Sequence, residues 1–189
     1  MTTKQVLYLT AMFLGKEELL NCPYFTGEET EISSEDKKEL EILNRCLNLI
    51  ISEISTDYLP IYKQKKVTFA NKEYNLSDID ENIYQIVKIQ DKYNCNVRFK
   101  IYDNILSADV KDATVTYTSF APKCELDGDV ENFAGKIHDR VLAYGTAMEY
   151  SFISSLYDDA TIWESRYKNS LLVLSQKKHN VVMPKRGWF

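Results

Sequence analysis

The sequence predicts a mixed α+β fold: a helical bundle with a small antiparallel β module inserted into it, and an extended C-terminal tail. Three observations carry this expectation. Leu40, Leu43, Leu47, Ile50 and Ile54 recur at helical spacing in the first third of the chain. Ile137, Val141, Tyr144, Met148 and Phe152, then Ala160, Trp163, Tyr167, Leu171 and Leu174, do the same in the last third. Between them the period drops to two, and the turns there are too short for parallel crossovers.

Each element has its own signal. Val6, Leu7, Leu9, Ala11, Met12, Phe13 and Leu14 make a short apolar helix, and Gly15 is a natural stop because it accepts the left-handed conformation. A second apolar turn at Leu19 and Leu20 runs into Pro23 and then into the acidic residues Glu28, Glu29 and Glu31. Ser33 and Ser34 are candidate N-caps, with Glu35 and Asp36 placed to favour the positive end of a helix. Ile42, Cys46 and Leu49 widen that helix's stripe, so it packs on more than one side, and Pro60 ends it. The N-terminal helices therefore span residues 1–64.

The β module is expected over residues 65–122. Val67 and Phe69 alternate with polar neighbours. Tyr84, Ile86 and Val87 open a strand, residues 91–94 form a turn, and Val97, Phe99 and Ile101 make a half-buried strand. Residues 114–120 are rich in β-branched side chains and form the clearest strand, closed by Pro122. A helical hairpin over residues 133–176 completes the bundle, with Asp158 a candidate cap in its short link. Gly145 lies inside the first of these helices at a cost near ~1 kcal/mol relative to alanine, which suggests close helix contact there.

The chain has 189 residues, 44% hydrophobic and 27% charged, ordinary for a folded protein able to bury a core without disulfides or metals. Its net charge of −5 argues against a general nucleic-acid binder. No apolar run approaches the ~18 residues needed to span a bilayer, and the N-terminus lacks the features of a signal peptide. Cys22, Cys46, Cys95 and Cys124 are widely spaced without a C-x-x-C pair, which reads as reduced cysteines made in the cytosol. The 13 Tyr and 8 Phe suit either an aromatic core or surfaces buried against partners.

No catalytic motif is found, and with only His138 and His179 the catalytic options are few, so no enzyme activity, metal or cofactor is expected. The carboxylate pairs Asp127/Asp129 and Asp158/Asp159 read as solvated loops or caps rather than metal ligands. The arm over residues 177–189 is different. It is basic, contains Met183, Pro184, Lys185, Arg186 and Gly187, and ends on Trp188 and Phe189. Such a tip needs a docking place, on its own domain or on another chain. Aromatic and arginine residues dominate binding hot spots, which favours another chain.

Residues 136–150, in which Arg140-Val141-Leu142-Ala143-Tyr144-Gly145 leads to Ala147, Glu149 and Tyr150, form one patterned helix. The short link and the helix with Trp163 and Tyr167 follow. This arrangement resembles the C-terminal helical hairpin of the head-to-tail connector (adaptor) proteins of tailed bacteriophages. The strand over residues 113–122 and the closing Met183-Pro184-Lys185-Arg186-Gly187-Trp188 are similar too. The resemblance implies a structural virion protein at the head-tail junction, assembled in the bacterial cytoplasm. It would form a homo-oligomeric, dodecameric ring beneath the portal protein, carry the tail or neck proteins and let DNA pass unread, with no membrane involved. Met183, Pro184, Lys185, Arg186, Trp188 and Phe189 would then dock on the portal. Glu28, Glu29, Glu31, Glu125, Asp127 and Asp129 would line the channel or its rim and repel DNA phosphates. The alternatives are another phage neck ring, such as a tail terminator or head-completion stopper, or a cytosolic non-enzymatic binding protein.

Overall fold

The computed structural model describes residues 1–27, 31–131 and 133–176. They form a mixed α+β chain with two small antiparallel sheets. The chain divides into two compact units. One comprises Met1–Ile50 and the described residues from Glu125 onward, and the other is the contiguous stretch Ile51–Cys124.

The first unit is helical. Helix α1 (Thr3–Phe13) begins slightly before its apolar stripe because Thr2 caps it. The Thr2 hydroxyl accepts from the Gln5 amide at 3.3 Å, and the Gln5 side chain accepts from the Thr2 amide at 3.1 Å. Gly15 follows at φ +67°, which lets the chain turn into α2 (Glu17–Leu20). Pro23 opens the single-turn α3 (Pro23–Thr26), where its missing N–H costs nothing. Helix α4 (Ser34–Glu53) starts at Ser33, whose hydroxyl accepts from the Asp36 amide at 3.0 Å. Leu40, Leu43, Cys46, Leu47 and Ile50 on it are buried, while Leu49 is exposed.

Helices α5 (Asp139–Ile153) and α6 (Tyr157–Gln176) pack against each other, and α1 packs on α5. The single stripe expected for α5 is corrected here. Ile137 is buried but precedes the helix, Phe152 is exposed, and the buried set extends over Leu142, Ala143, Thr146, Ala147, Tyr150 and Ser151. With neighbours on several sides, α5 has no solvent face along its centre. Ala160, Tyr167 and Leu171 of α6 are buried as its spacing requires, and Leu174 lies outside the described side chains. Asp158 is not the cap. It sits in the first turn of α6, where its charge still complements the helix dipole.

Gly145 explains how tightly these helices meet. A Cβ there would lie 2.9 and 3.0 Å from Ile50 side-chain atoms of α4, and 3.0 Å from the Tyr167 ring of α6. Beside this contact Phe13, Tyr144 and Trp163 join α1, α5 and α6. Phe13 stacks on Tyr144 at 5.0 Å and on Trp163 at 5.5 Å, and the Arg166 guanidinium lies 4.9 Å from the Trp163 ring. Trp163 is half-buried, so it faces its neighbours on one side only.

The second unit begins with the end of α4, which widens into a π-helical turn (Ile54–Tyr58) closed by a bond from the Leu59 amide to the Ile54 carbonyl at 2.7 Å. Strand β1 (Ile61–Thr68) starts directly after Pro60, ahead of the Lys65 boundary expected from the sequence. Its first residues, Ile61 to Lys66, have no alternating burial and so leave no period-two signal. It pairs with β7 (Asp112–Ser119), with Ile61 opposite Ser119, so the strands that enter and leave the module lie side by side. The larger sheet has the order β1-β7-β3-β4, with β3 (Ile83–Asp91) and β4 (Asn96–Val97). The smaller has the order β2-β6-β5, with β2 (Glu73–Asn75), β5 (Phe99–Tyr102) and β6 (Ile105–Ala108).

The one strand expected over residues 97–101 is therefore two. Val97 pairs with Ile89 in the larger sheet and Phe99 with Ala108 in the smaller, so the chain changes sheet at Arg98. Ile101, expected to be half-buried, is exposed because β5 is an edge strand. Val67, Phe69, Ile86, Ile89, Leu106 and Val115 share one apolar cluster between the sheets. Lys63, on the edge strand β1, bridges to Asp80 at 2.9 Å, and Tyr117 donates to the same carboxylate at 3.1 Å.

Replacing Gly145 by alanine gains helix propensity of ~1 kcal/mol but forces a methyl into the α4 and α6 contacts. The expected result of Gly145→Ala is a net loss of about 1–2 kcal/mol, read as a lower urea midpoint at unchanged slope. Adding Ile50→Val, which removes the Cδ1 atom facing the new methyl, is expected to restore part of that loss.

Candidate functional site

The residues singled out from the sequence fall in different places. Glu28, Glu29, and the arm residues Met183, Pro184, Lys185, Arg186, Trp188 and Phe189 lie outside the described residues. Glu31 is exposed ahead of α4. Glu125, Asp127 and Asp129 are exposed on a turn that the Gly128 amide closes onto the Glu125 carbonyl at 3.1 Å.

That turn is tied to the N-terminus. The Thr3 amide donates to the Gly128 carbonyl at 3.0 Å, the Val130 amide donates to the Met1 carbonyl at 3.0 Å, and Thr2 bridges to Asp129. The Tyr24 hydroxyl of α3 donates to the Leu126 carbonyl. Burial pushes the Tyr24 phenol up to about 12, and the nearby Asp127 carboxylate pushes it the same way. The acidic turn is thus held against α1 and α3 by main-chain bonds and one phenol.

Between α1 and α3 lies a cleft of about 520 Å³ lined by Thr2, Lys4, Tyr8, Leu9, Phe25 and Asp139, among others. Its walls are aromatic. Tyr8 meets the Phe25 ring edge-on at 5.6 Å, Phe25 meets Tyr24 at 5.0 Å, and the Lys4 ammonium lies 5.6 Å from the Tyr24 ring. Tyr8 is 45% exposed and Met12, one helical turn further on, is 47% exposed. Asp139 stands in the lining itself, and Thr2 connects the lining to Asp129. The outcome is an open, apolar-walled cleft with carboxylates at its rim. Such a cleft can hold a peptide or a protein side chain.

A second cluster in the same unit is structural. The Glu39 carboxylate on α4 receives Lys16 at 2.5 Å and the Tyr150 hydroxyl of α5 at 2.5 Å, and Lys16 lies 4.6 Å from the Tyr150 ring. Burial alone would raise the Glu39 pKa, but the bonds from Lys16 and Tyr150 outweigh it and hold the carboxyl below its ordinary value. Cys22, Cys46, Cys95 and Cys124 form no disulfide with one another. Cys46 is buried, and burial with the nearby Glu149 pushes its pKa up to about 11, which leaves it a poor nucleophile.

The cleft residues Tyr8, Tyr24 and Phe25 did not stand out in the sequence. Tyr24 and Phe25 follow Pro23 in a single-turn helix too short to show a period. Tyr8 sits among the apolar residues of α1, where nothing separates it from the core side. No family model and no curated protein matches the chain. Among the described residues no helix is long and apolar enough to cross a membrane.

Glu39 is expected to make the fold acid-sensitive. Its folded pKa is lowered, so its stabilisation is present above the ordinary value of 4.5 and is lost as pH falls through the folded value. Wild-type protein is therefore expected to lose more melting temperature than Glu39→Gln between about pH 5 and pH 3, measured by circular dichroism.

Proposed function

We propose that this chain is a structural, non-enzymatic ring subunit of a tailed phage, placed between the portal and the tail. Its helical unit would be a bundle with the β module inserted as a lobe. The observation that carries this reading is apolar surface in the segment where the resemblance lies. At the turn between α5 and α6, Phe152, Ile153, Leu156 and Tyr157 are 40, 59, 48 and 63% exposed. A run of large apolar side chains in water is costly and marks a surface that is covered in an assembly.

The tyrosines support it. Seven of the 13 are exposed, among them Tyr62, Tyr84, Tyr93 and Tyr102 on the β module, whereas Tyr117, Tyr150 and Tyr167 are buried. The aromatic excess thus belongs more to the surface than to the core, as an assembling protein requires. Charge supports it too. Leaving aside the arm, the helical unit has nine Lys and Arg against 18 Asp and Glu, a net of −9. Exposed carboxylates such as Glu31 and Glu125 would let DNA slide past a ring rather than adhere to it.

Mixing the purified chain with the portal protein of its source genome, which the reading requires to exist, tests the reading. Negative-stain electron microscopy is expected to show a ring of this chain stacked on the portal. Separate sedimentation of the two proteins across low and moderate salt would sink it.

A further inference from the structure

The arm and the cleft have matching chemistry. The arm has 13 residues after Gln176, four of them basic (Lys177, Lys178, Lys185 and Arg186) and none acidic, and it ends on Trp188 and Phe189. The cleft between α1 and α3 offers aromatic walls from Tyr8 and Phe25, with Asp139 in its lining and Asp127 and Asp129 on the turn bonded to Thr2 and Thr3. The surface around it belongs to a unit whose net charge without the arm is −9. The second unit has ten residues of each sign and gives a basic segment no such preference.

We propose that this cleft is the acceptor for residues 184–189 of a second copy of the chain, so that neighbouring subunits join head to tail. The inference rests on the ring reading above and deepens it by naming a contact between subunits. It also redirects the arm, expected from the sequence to dock on the portal, to an acceptor of complementary charge on the ring subunit itself. Trp188 or Phe189 lies in the cleft against the wall that the touching Tyr8 and Phe25 rings form. Arg186 pairs with the rim carboxylates in its bidentate geometry, and Lys185 adds a second charge. Extended, 13 residues span roughly 45 Å, enough to reach an adjacent subunit. A donor segment and an acceptor cleft on different surfaces form a heterologous pair, and repeated heterologous contacts close into rings.

The test uses full-length chains and a fluorescein-labelled peptide of residues 177–189. The acceptor carries Trp188→Ala and Phe189→Ala, so that its own arm does not compete. Saturable binding by fluorescence anisotropy is expected, weakened about tenfold or more when Tyr8→Ala is added. Asp127→Asn with Asp129→Asn is expected to weaken it several-fold and to flatten its salt dependence. Tyr8, Asp127 and Asp129 are exposed, and circular dichroism melting confirms that each variant is folded. No saturable binding, or binding that ignores both changes, overturns the proposal.

A second mixture separates a neighbouring copy from the chain's own arm. Full-length Tyr8→Ala has a donor and a disabled acceptor, and full-length Trp188→Ala/Phe189→Ala has the reverse. Together they are expected to sediment as a heterodimer, and each alone as a monomer. Peptide binding without a heterodimer would make the occupant the chain's own arm and overturn the head-to-tail contact. Portal-templated rings that persist without peptide binding would remove this inference and leave the ring reading standing. Peptide binding and heterodimer formation without such rings would do the opposite.

Discussion

The helical unit depends on one missing methyl group. Gly145 sits in the middle of α5, and the space where its Cβ would stand is taken by Ile50 from α4 and Tyr167 from α6. Ile50 and Tyr167 are both almost completely buried, so neither can move aside without opening a gap. Helices from the two ends of the chain are thereby brought together across an insertion of more than seventy residues. The Phe13, Tyr144 and Trp163 stack lies next to this contact and joins α1 to the same pair of helices. Glycine's poor helix propensity is a local cost that this packing outweighs.

The acidity of the chain is not spread evenly. The β unit is balanced, and the excess lies on the helical unit. Where a carboxylate is drawn inward, as Glu39 is, it receives a lysine and a phenol in the same site. Where carboxylates stay outside, on the turn at Glu125, Asp127 and Asp129, the main chain holds the turn and leaves the charges facing water. The first arrangement contributes to the fold. The second sets the electrostatic character of the surface beside the aromatic cleft, which governs what that surface attracts.

Much of the fold was legible in the sequence because its period was regular. The α4 stripe, the Ser33 cap, the Gly15 stop, the clear strand ending before Pro122 and the helical hairpin all rest on contacts within a few residues. Legibility failed where neighbours distant in sequence decide burial. Residues 97–101 read as one strand, yet the chain changes sheet at Arg98, and no local signal marks which sheet a short strand joins. Strands β2 and β6 are three and four residues long, too short to show an alternation. The stripe expected for α5 widened to several faces because α1, α4 and α6 all approach it.

By itself the sequence determined the α+β class, the order of a β region between two helical regions, the acidic balance and the basic, aromatic composition of the last 13 residues. These follow from composition, from periodicity and from the conformational limits of glycine and proline, all of which act locally. Tertiary structure alone decided that Tyr8 and Phe25 meet edge to face in the lining of a cleft, and that the turn carrying Asp127 and Asp129 is bonded to the first residues of the chain. Residues more than a hundred positions apart meet there through main-chain hydrogen bonds, which any residue type can make except where proline removes the donor. Because the pairing is carried by backbone groups, the side-chain sequence holds no mark of it.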